Sequence, residues 1–233
     1  MGTLFVVSTP IGNLEDITLR AIKMLFTVDT ILCEDTRHTG LLLSELQKRY
    51  PDWVSKQKPN VMPYYDRIED RTIPEVIELL IKGRAVALVS DAGTPLVSDP
   101  GFRLVRECLK RNIKVESIPG PSAFLAALTS SGVPSDKFLF LGYPPEKQAQ
   151  RQKLFENIKH IQSFIQSTII FYCAPHKFIT TLEDLKTTLG DVDIAVAREL
   201  TKLHEEIWKG SVSQAQKYFA VPRGEFVILL RFI

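Results

Sequence analysis

Four short stretches hold the residues able to do chemistry, and each follows an apolar run. Glu34, Asp35, Arg37 and His38 stand together in EDTRH, directly after Thr30–Cys33. Two acids, an arginine and a histidine make a poor core and suit a polar site. VSDAGTPLVSDPG, residues 89–101, follows the uninterrupted apolar run Ala85–Val89. It crowds Gly, Pro, Ser, Thr and Asp into about ten positions, more than a plain strand-to-helix turn needs. STPIGN (8–13) follows Thr3–Val7, and PGPSA (119–123) follows Ile113–Ile118. If the four runs are parallel strands of one sheet, their turns converge on one edge, where open α/β sheets bind ligands.

Several chemistries are excluded. No G-x-G-x-x-G opens the first helix, and no G-x-x-x-x-G-K-[ST] occurs, so neither a Rossmann dinucleotide site nor a P-loop is indicated. No G-x-S-x-G marks a serine hydrolase. Cys33 and His38 with Cys173 and His176 assemble a zinc site only on paper: the pairs are five and three residues apart, outside any zinc-ribbon pattern. No metal is expected. Small residues that permit close backbone approach, without a triphosphate loop, fit a nucleoside-like ligand better.

The elements that must position these turns alternate between strand and helix along the chain, which predicts an α/β protein. Asp16 is read as the cap of a helix whose apolar face is Ile17, Ala21 and Leu25. Leu41–Leu46 starts a helix, Tyr50–Asn60 reads as a loop, and Val61–Tyr65 as a weak strand. Thr72-Ile73-Pro74-Glu75 reads as a capping box with Gly83 closing its helix, and Asp99-Pro100 as the start of the helix Phe102–Leu109. A helix follows at Ser122–Leu128, ended by Gly132. Later come a strand at Ser167–Ala174, a helix Pro175–Leu189 closed by Gly190, a strand Asp193–Ala197, a capping box at Ser211–Gln214 and a strand Glu225–Phe232. A boundary near Pro119 divides an N-terminal domain, 1–117, with a mostly parallel sheet, from a C-terminal domain, 118–233, with a mixed sheet and flanking helices.

The 233 residues are 45% hydrophobic with a net charge of +2. That is enough for a sizeable core, and a charge too small to prove or exclude a polyanionic partner. Three cysteines without a C-x-x-C pair argue against a disulfide framework. With no secretory n-region and no long apolar stretch, a soluble, cytoplasmic protein without a membrane partner is expected. Lys137–Lys159 carries five basic residues against two acidic ones. It reads either as a solvated helix or as a positive edge for phosphates.

STPIGNLEDITLRA, ILCEDTRHT, VSDAGTPLVSDPG, PGPSA, APHK and ARELTKLHEE, in this order, closely resemble the ribosomal RNA small subunit methyltransferase I family, within the tetrapyrrole methylase superfamily. The similarity runs from Leu4 to Leu229. It implies a two-domain homodimer that binds S-adenosylmethionine between its domains and methylates a ribose 2'-hydroxyl of a cytidine in 16S ribosomal RNA. The RNA itself or the assembled small subunit is then the substrate. Corrin and porphyrin methylases share the fold but use carbon nucleophiles, so a small tetrapyrrole-like acceptor is the alternative.

By matching to the family's loops, Pro10, Asp91, Ala92, Gly93, Thr94, Ser122 and Ala123 are the expected cofactor contacts. Methyl transfer needs an in-line approach, and a weak hydroxyl nucleophile needs a base or acceptor for its proton. Glu34, Asp35, Glu199 and His204 are candidates, His204 also reading as a surface histidine. Arg37 reads either as a phosphate contact or as an ion-pair partner of Glu34 or Asp35. Where many members carry an acid before APHK, this chain has Cys173, so no role carries over there. Many relatives continue beyond the last strand into a helical tail. Without one, the Lys147–Lys159 helix is the first expected RNA contact.

Overall fold

The computed structural model describes residues 1–53 and 59–231; part of the expected Tyr50–Asn60 loop, and Phe232 of the last expected strand, lie outside them. The chain divides into two compact units, Met1–Ser122 and Ala123–Ile233.

The first unit contains β1 (Thr3–Val7), α1 (Leu19–Leu25), β2 (Thr30–Cys33), α2 (Thr36–Arg49), β3 (Asn60–Pro63), α3 (Glu69–Ile81), β4 (Val86–Leu88), α4 (Phe102–Lys110) and β5 (Lys114–Ile118). Its sheet has the order β3-β2-β4-β1-β5, and every pairing is parallel. Strands buried on both faces explain the unbroken apolar runs. Ile31, Cys33, Ala87 and Val89 pack to one side with α1 residues Ala21, Ile22 and Leu25. Leu32, Val86 and Leu88 pack to the other with Val76 and Leu80 of α3 and Leu104 and Cys108 of α4.

The second unit contains α5 (Ala123–Ser130), β6 (Phe138–Phe140), α6 (Gln148–Phe164), β7 (Thr168–Cys173), α7 (Pro175–Leu189), β8 (Asp193–Arg198), β9 (Glu206–Ser211), α8 (Val212–Tyr218) and β10 (Phe226–Leu230). The sheet order is β6-β7-β10-β8-β9. Only β6 and β7 pair in parallel; the other pairings are antiparallel. β10 is central and all five of its residues are buried. Phe155, Phe171, Phe178 and Phe226 anchor the core. The expected α/β class, with a parallel N-terminal and a mixed C-terminal sheet, is therefore the observed one.

Local readings differ in instructive ways. Thr18, not Asp16, caps α1, accepting the Ala21 N–H at 3.1 Å, because Leu14–Asp16 forms its own 3-10 turn. The expected face of Ile17, Ala21 and Leu25 is buried regardless. Helix α3 begins at Glu69, so Thr72 is interior, donating its hydroxyl to the Ile68 carbonyl, and Pro74 lies inside the helix. The capping box at Ser211 and Gln214 is present, and α7 spans Pro175–Leu189 with Gly190 as its cap. Short edge strand β6 and the hairpin strand β9 have no counterpart in the sequence reading.

The basic run also resolves into two kinds of residue. Lys137, Lys147, Lys153 and Lys159 are exposed. Arg151 is buried, its guanidinium 2.5 Å from the equally buried Asp184 carboxylate and donating to the Pro145 and Glu146 carbonyls at 3.0 Å. It holds α6 against α7 and the preceding proline turn, and is not part of any positive edge.

Candidate functional site

Strands β2, β4, β1 and β5 are contiguous and parallel, so the four turns that follow them leave the same edge of the sheet. Contacts join them there. Thr9 after β1 and Gly93 after β4 exchange backbone hydrogen bonds at 2.8 and 3.1 Å. The Thr94 hydroxyl donates to the Pro121 carbonyl after β5 at 2.9 Å and lies 3.1 Å from the Ser8 hydroxyl. The Asp35 N–H after β2 donates to Asp91 Oδ1 at 3.2 Å.

Two glycines make this closeness possible. Gly93 has φ +86, and a Cβ there would meet the Ile11 side chain at 3.2 Å. A Cβ on Gly120 would lie 2.8 Å from the Ser8 Cβ. Side chains at either position would push the turns apart. Among the described residues the Ser122 hydroxyl is buried without a hydrogen-bond partner. It is a polar group left available at a turn otherwise satisfied internally.

EDTRH is the end of a strand and the start of a helix, not a free turn. Asp35 is the N-cap of α2, accepting the Arg37 N–H at 2.8 Å, and Thr36, Arg37 and His38 form its first turn. A short polar residue at a strand end that can accept from N2 is a helix start, which moves the boundary from the expected Leu41 to Thr36. The Arg37 guanidinium grips Asp35 through two bonds, 3.0 and 2.6 Å. Of the two readings of Arg37, the ion pair with Asp35 is the one present, and 84% of the arginine side chain remains exposed. The Arg37 hydrogen bonds hold the Asp35 carboxyl well below the usual carboxylate range, which makes it a weak proton acceptor.

Glu34 has the opposite environment. It is half-buried, and desolvation, then the neighbouring Asp91 carboxylate, raise its pKa, while the Asp91 backbone N–H offsets part of the shift. A carboxylate so placed takes up a proton more readily than a free one. Asp91 accepts from Asp35 N–H and lies 3.3 Å from His38 Nδ1 through its second oxygen. Asp99 belongs to the same group. Burial, then Glu34, raise its pKa to about 7, with nearby Ser90 offsetting part of the shift. It does not cap α4: that helix starts after Gly101, with no side-chain cap. The sequence reading missed Asp99 because Asp-Pro before an amphipathic segment also spells a helix start. Ala92 is exposed, and Pro10, Thr94 and Ala123 are half-buried.

In the second unit, Glu199 follows β8 with φ 51. Its carboxylate accepts the Glu225 N–H at 2.9 Å and the Lys202 ammonium at 3.1 Å. Both bonds fall on Oε1, and the carboxylate braces the turn between β8 and β9. His204 in that turn is exposed. Cys33 and Cys173 are buried, their thiols donating to the Met62 carbonyl and towards Thr181. No cluster of three or more potential metal ligands occurs among the described residues.

The chain's relatives bear on this geometry. A family profile described as Tetrapyrrole (Corrin/Porphyrin) Methylases matches residues 3–216. A Thermotoga maritima protein named ribosomal RNA small subunit methyltransferase I is 41% identical over 232 residues, 99% of this chain and 98% of that protein. A Synechocystis protein of the same name is 45% identical over 233 residues, 99% of this chain and 79% of its own. Among solved structures, uroporphyrin-III C-methyl transferase from Thermus thermophilus, complexed with S-adenyl homocysteine, superposes with a TM-score of 0.63 at 17% identity. It covers 98% of this chain and 97% of the neighbour, a likeness of fold.

Proposed function

Since the chain belongs to the tetrapyrrole methylase family, and within it to the ribosomal RNA small subunit methyltransferase I proteins, we propose that it methylates the ribose 2'-hydroxyl of a cytidine in small-subunit ribosomal RNA, with S-adenosylmethionine as donor. The observation that carries this reading is identity above 40% along nearly the whole chain to proteins of that name.

The residues fit such a donor. Gly93, with its positive φ, lets the turns after β1 and β4 close together, and the buried Ser122 hydroxyl offers an unused polar atom. Pro10, Ala92, Thr94 and Ala123 complete the proposed contact set on the same turns, with Asp91 accepting from a polar end of the ligand. The bound sulfonium supplies an electrophilic methyl group. The protein's part is to hold the hydroxyl in line and receive its proton.

Glu34 is the acceptor this environment favours. Its pKa is raised, whereas that of Asp35 is depressed by Arg37 and Glu199 is engaged with Glu225 and Lys202. Asp35 and Arg37 act by setting the start of α2, and the exposed face of the guanidinium is free to meet a phosphate. Glu199 shapes its own turn. A homodimer in the cytoplasm completes the reading.

The test incubates the purified protein and S-adenosylmethionine with small ribosomal subunits from a strain lacking the activity. Nuclease-resistant 2'-O-methylcytidine is the expected product. Methyl incorporation into a uroporphyrinogen or precorrin, and none into RNA, would establish the tetrapyrrole alternative. No transfer at all by a protein that fails to bind the donor would mark a fold kept without turnover.

A further inference from the structure

The second unit contains a cavity of about 140 Å³ that none of the residues discussed above explains. It opens between the turn after β6 and the start of α7, and Tyr143, Pro144, Pro145, Tyr172, His176 and Lys177 line it. Its shape is held from behind. Buried Arg151 donates to the carbonyls of Pro145 and Glu146 and pairs with Asp184, so the proline turn is tied to the core rather than left to move. Tyr172 packs edge-on against Phe140 at 4.8 Å and against Tyr143 at 5.5 Å. Tyr143 nevertheless remains 59% exposed, a large ring surface presented to solvent.

The lining points to the class of ligand. Flat rings and prolines offer faces for stacking, and Lys177, His176 and the acidic Glu146 also line the cavity. Arg151 adds no free charge, because Asp184 neutralises it. Aromatic faces beside a lysine are one way single-stranded nucleic acid is gripped: a base stacks while a phosphate meets the ammonium. Size narrows the choice. Sites for whole ligands of drug size occupy about 300–1,000 Å³. The cavity therefore suits one base better than an entire S-adenosylmethionine. Exposed Lys147, at the N-cap of α6, follows directly on the lining residue Glu146.

We propose that this cavity holds a nucleotide of the RNA substrate flanking the methylated one, its base stacked on Tyr143 and its phosphate beside Lys177. The inference rests on the RNA methyltransferase reading and adds to it a specific grip on the strand.

Binding of unmethylated small ribosomal subunits is measured by sedimentation in the presence of S-adenosylhomocysteine, and binding of S-adenosylmethionine separately by calorimetry. Tyr143→Ala and Lys177→Gln are each expected to weaken subunit binding roughly tenfold, with cofactor affinity unchanged and cooperative melting retained. Tyr143→Phe keeps the ring and should bind like the parent. Subunit binding that is unaltered in both Tyr143→Ala and Lys177→Gln overturns the proposal. So does a loss confined to cofactor affinity, which would give the cavity to the adenosine of the cofactor instead. Because binding is read without turnover, a parent protein that binds subunits through Tyr143 yet transfers no methyl group refutes only the activity. A parent that does not bind subunits refutes both.

Discussion

The carboxylate of Asp91 joins two strands' worth of site: Oδ1 accepts the Asp35 N–H at 3.2 Å, and Oδ2 lies 3.3 Å from His38 Nδ1. One residue after β4 thereby fixes the first turn of the helix after β2. Asp91→Ala should weaken S-adenosylmethionine binding about tenfold or more, since a charge-assisted bond is worth about 1.5–3 kcal/mol. Asp91→Asn, which keeps an acceptor, should lose less; calorimetry on the two variants makes the comparison.

Glu34→Gln separates chemistry from binding. Turnover should fall by about 10²–10⁴, the usual worth of a positioned acid or base, while calorimetric affinity for the cofactor stays within about twofold. Arg37→Ala should follow the same pattern with a smaller loss. If Arg37→Ala abolishes cofactor binding, the division between a donor-holding turn and an acceptor turn is wrong.

Gly93→Val combines strain with obstruction. At φ +86 a β-branched residue costs about 1–3 kcal/mol, and its side chain meets Ile11. Cofactor affinity should drop beyond detection and the melting temperature should fall. Gly40→Ala is the control: a Cβ there meets nothing within 4 Å, and in the interior of α2 it should stabilise by about 0.5–1 kcal/mol.

Asp99 predicts a pH dependence with a definite sign. Its folded pKa, about 7, lies above the ordinary value of 3.8, so the folded state binds the proton more tightly. The associated stabilisation is full only below about pH 3.8 and is lost progressively as pH rises from there through about 7. Asp99→Asn removes the buried charge and should raise stability by about 1–2 kcal/mol more at pH 8 than at pH 5, where only the unfolded carboxyl is ionised. Melting curves for both proteins at the two pH values would show it, and equal gains at both would refute the assignment.

Arg151→Met leaves the buried Asp184 carboxylate without its counter-charge, held only by Gln148 and Gln152. A loss of about 3–5 kcal/mol is expected in denaturant unfolding, as for other half-removed buried pairs. Lys153→Met, on the exposed side of the same helix, should change stability by less than about 0.5 kcal/mol.

Much of the architecture was legible in residue order. Unbroken apolar runs at β2 and β4 announced strands covered on both faces, and small-residue stretches after four such runs announced turns that share one sheet edge. Signals confined to a few neighbouring residues, such as the Ser211 box and the Pro175 to Gly190 helix, were also read correctly, because their hydrogen bonds are local.

Where a residue's partner is distant in the chain, its role was decided only by the fold. Asp99 looks like a cap until burial beside Glu34 and Ser90 turns it inward. Arg151 looks like a solvated charge until Asp184, from another helix, closes on it. Glu34, Asp35 and Glu199 are all plain carboxylates in the sequence, and desolvation, a guanidinium and a backbone N–H set their proton affinities apart. The sequence by itself determined the family and the α/β order. Tertiary structure decided which carboxylate holds a proton more readily, because protonation depends on burial and on neighbours that sequence spacing does not encode.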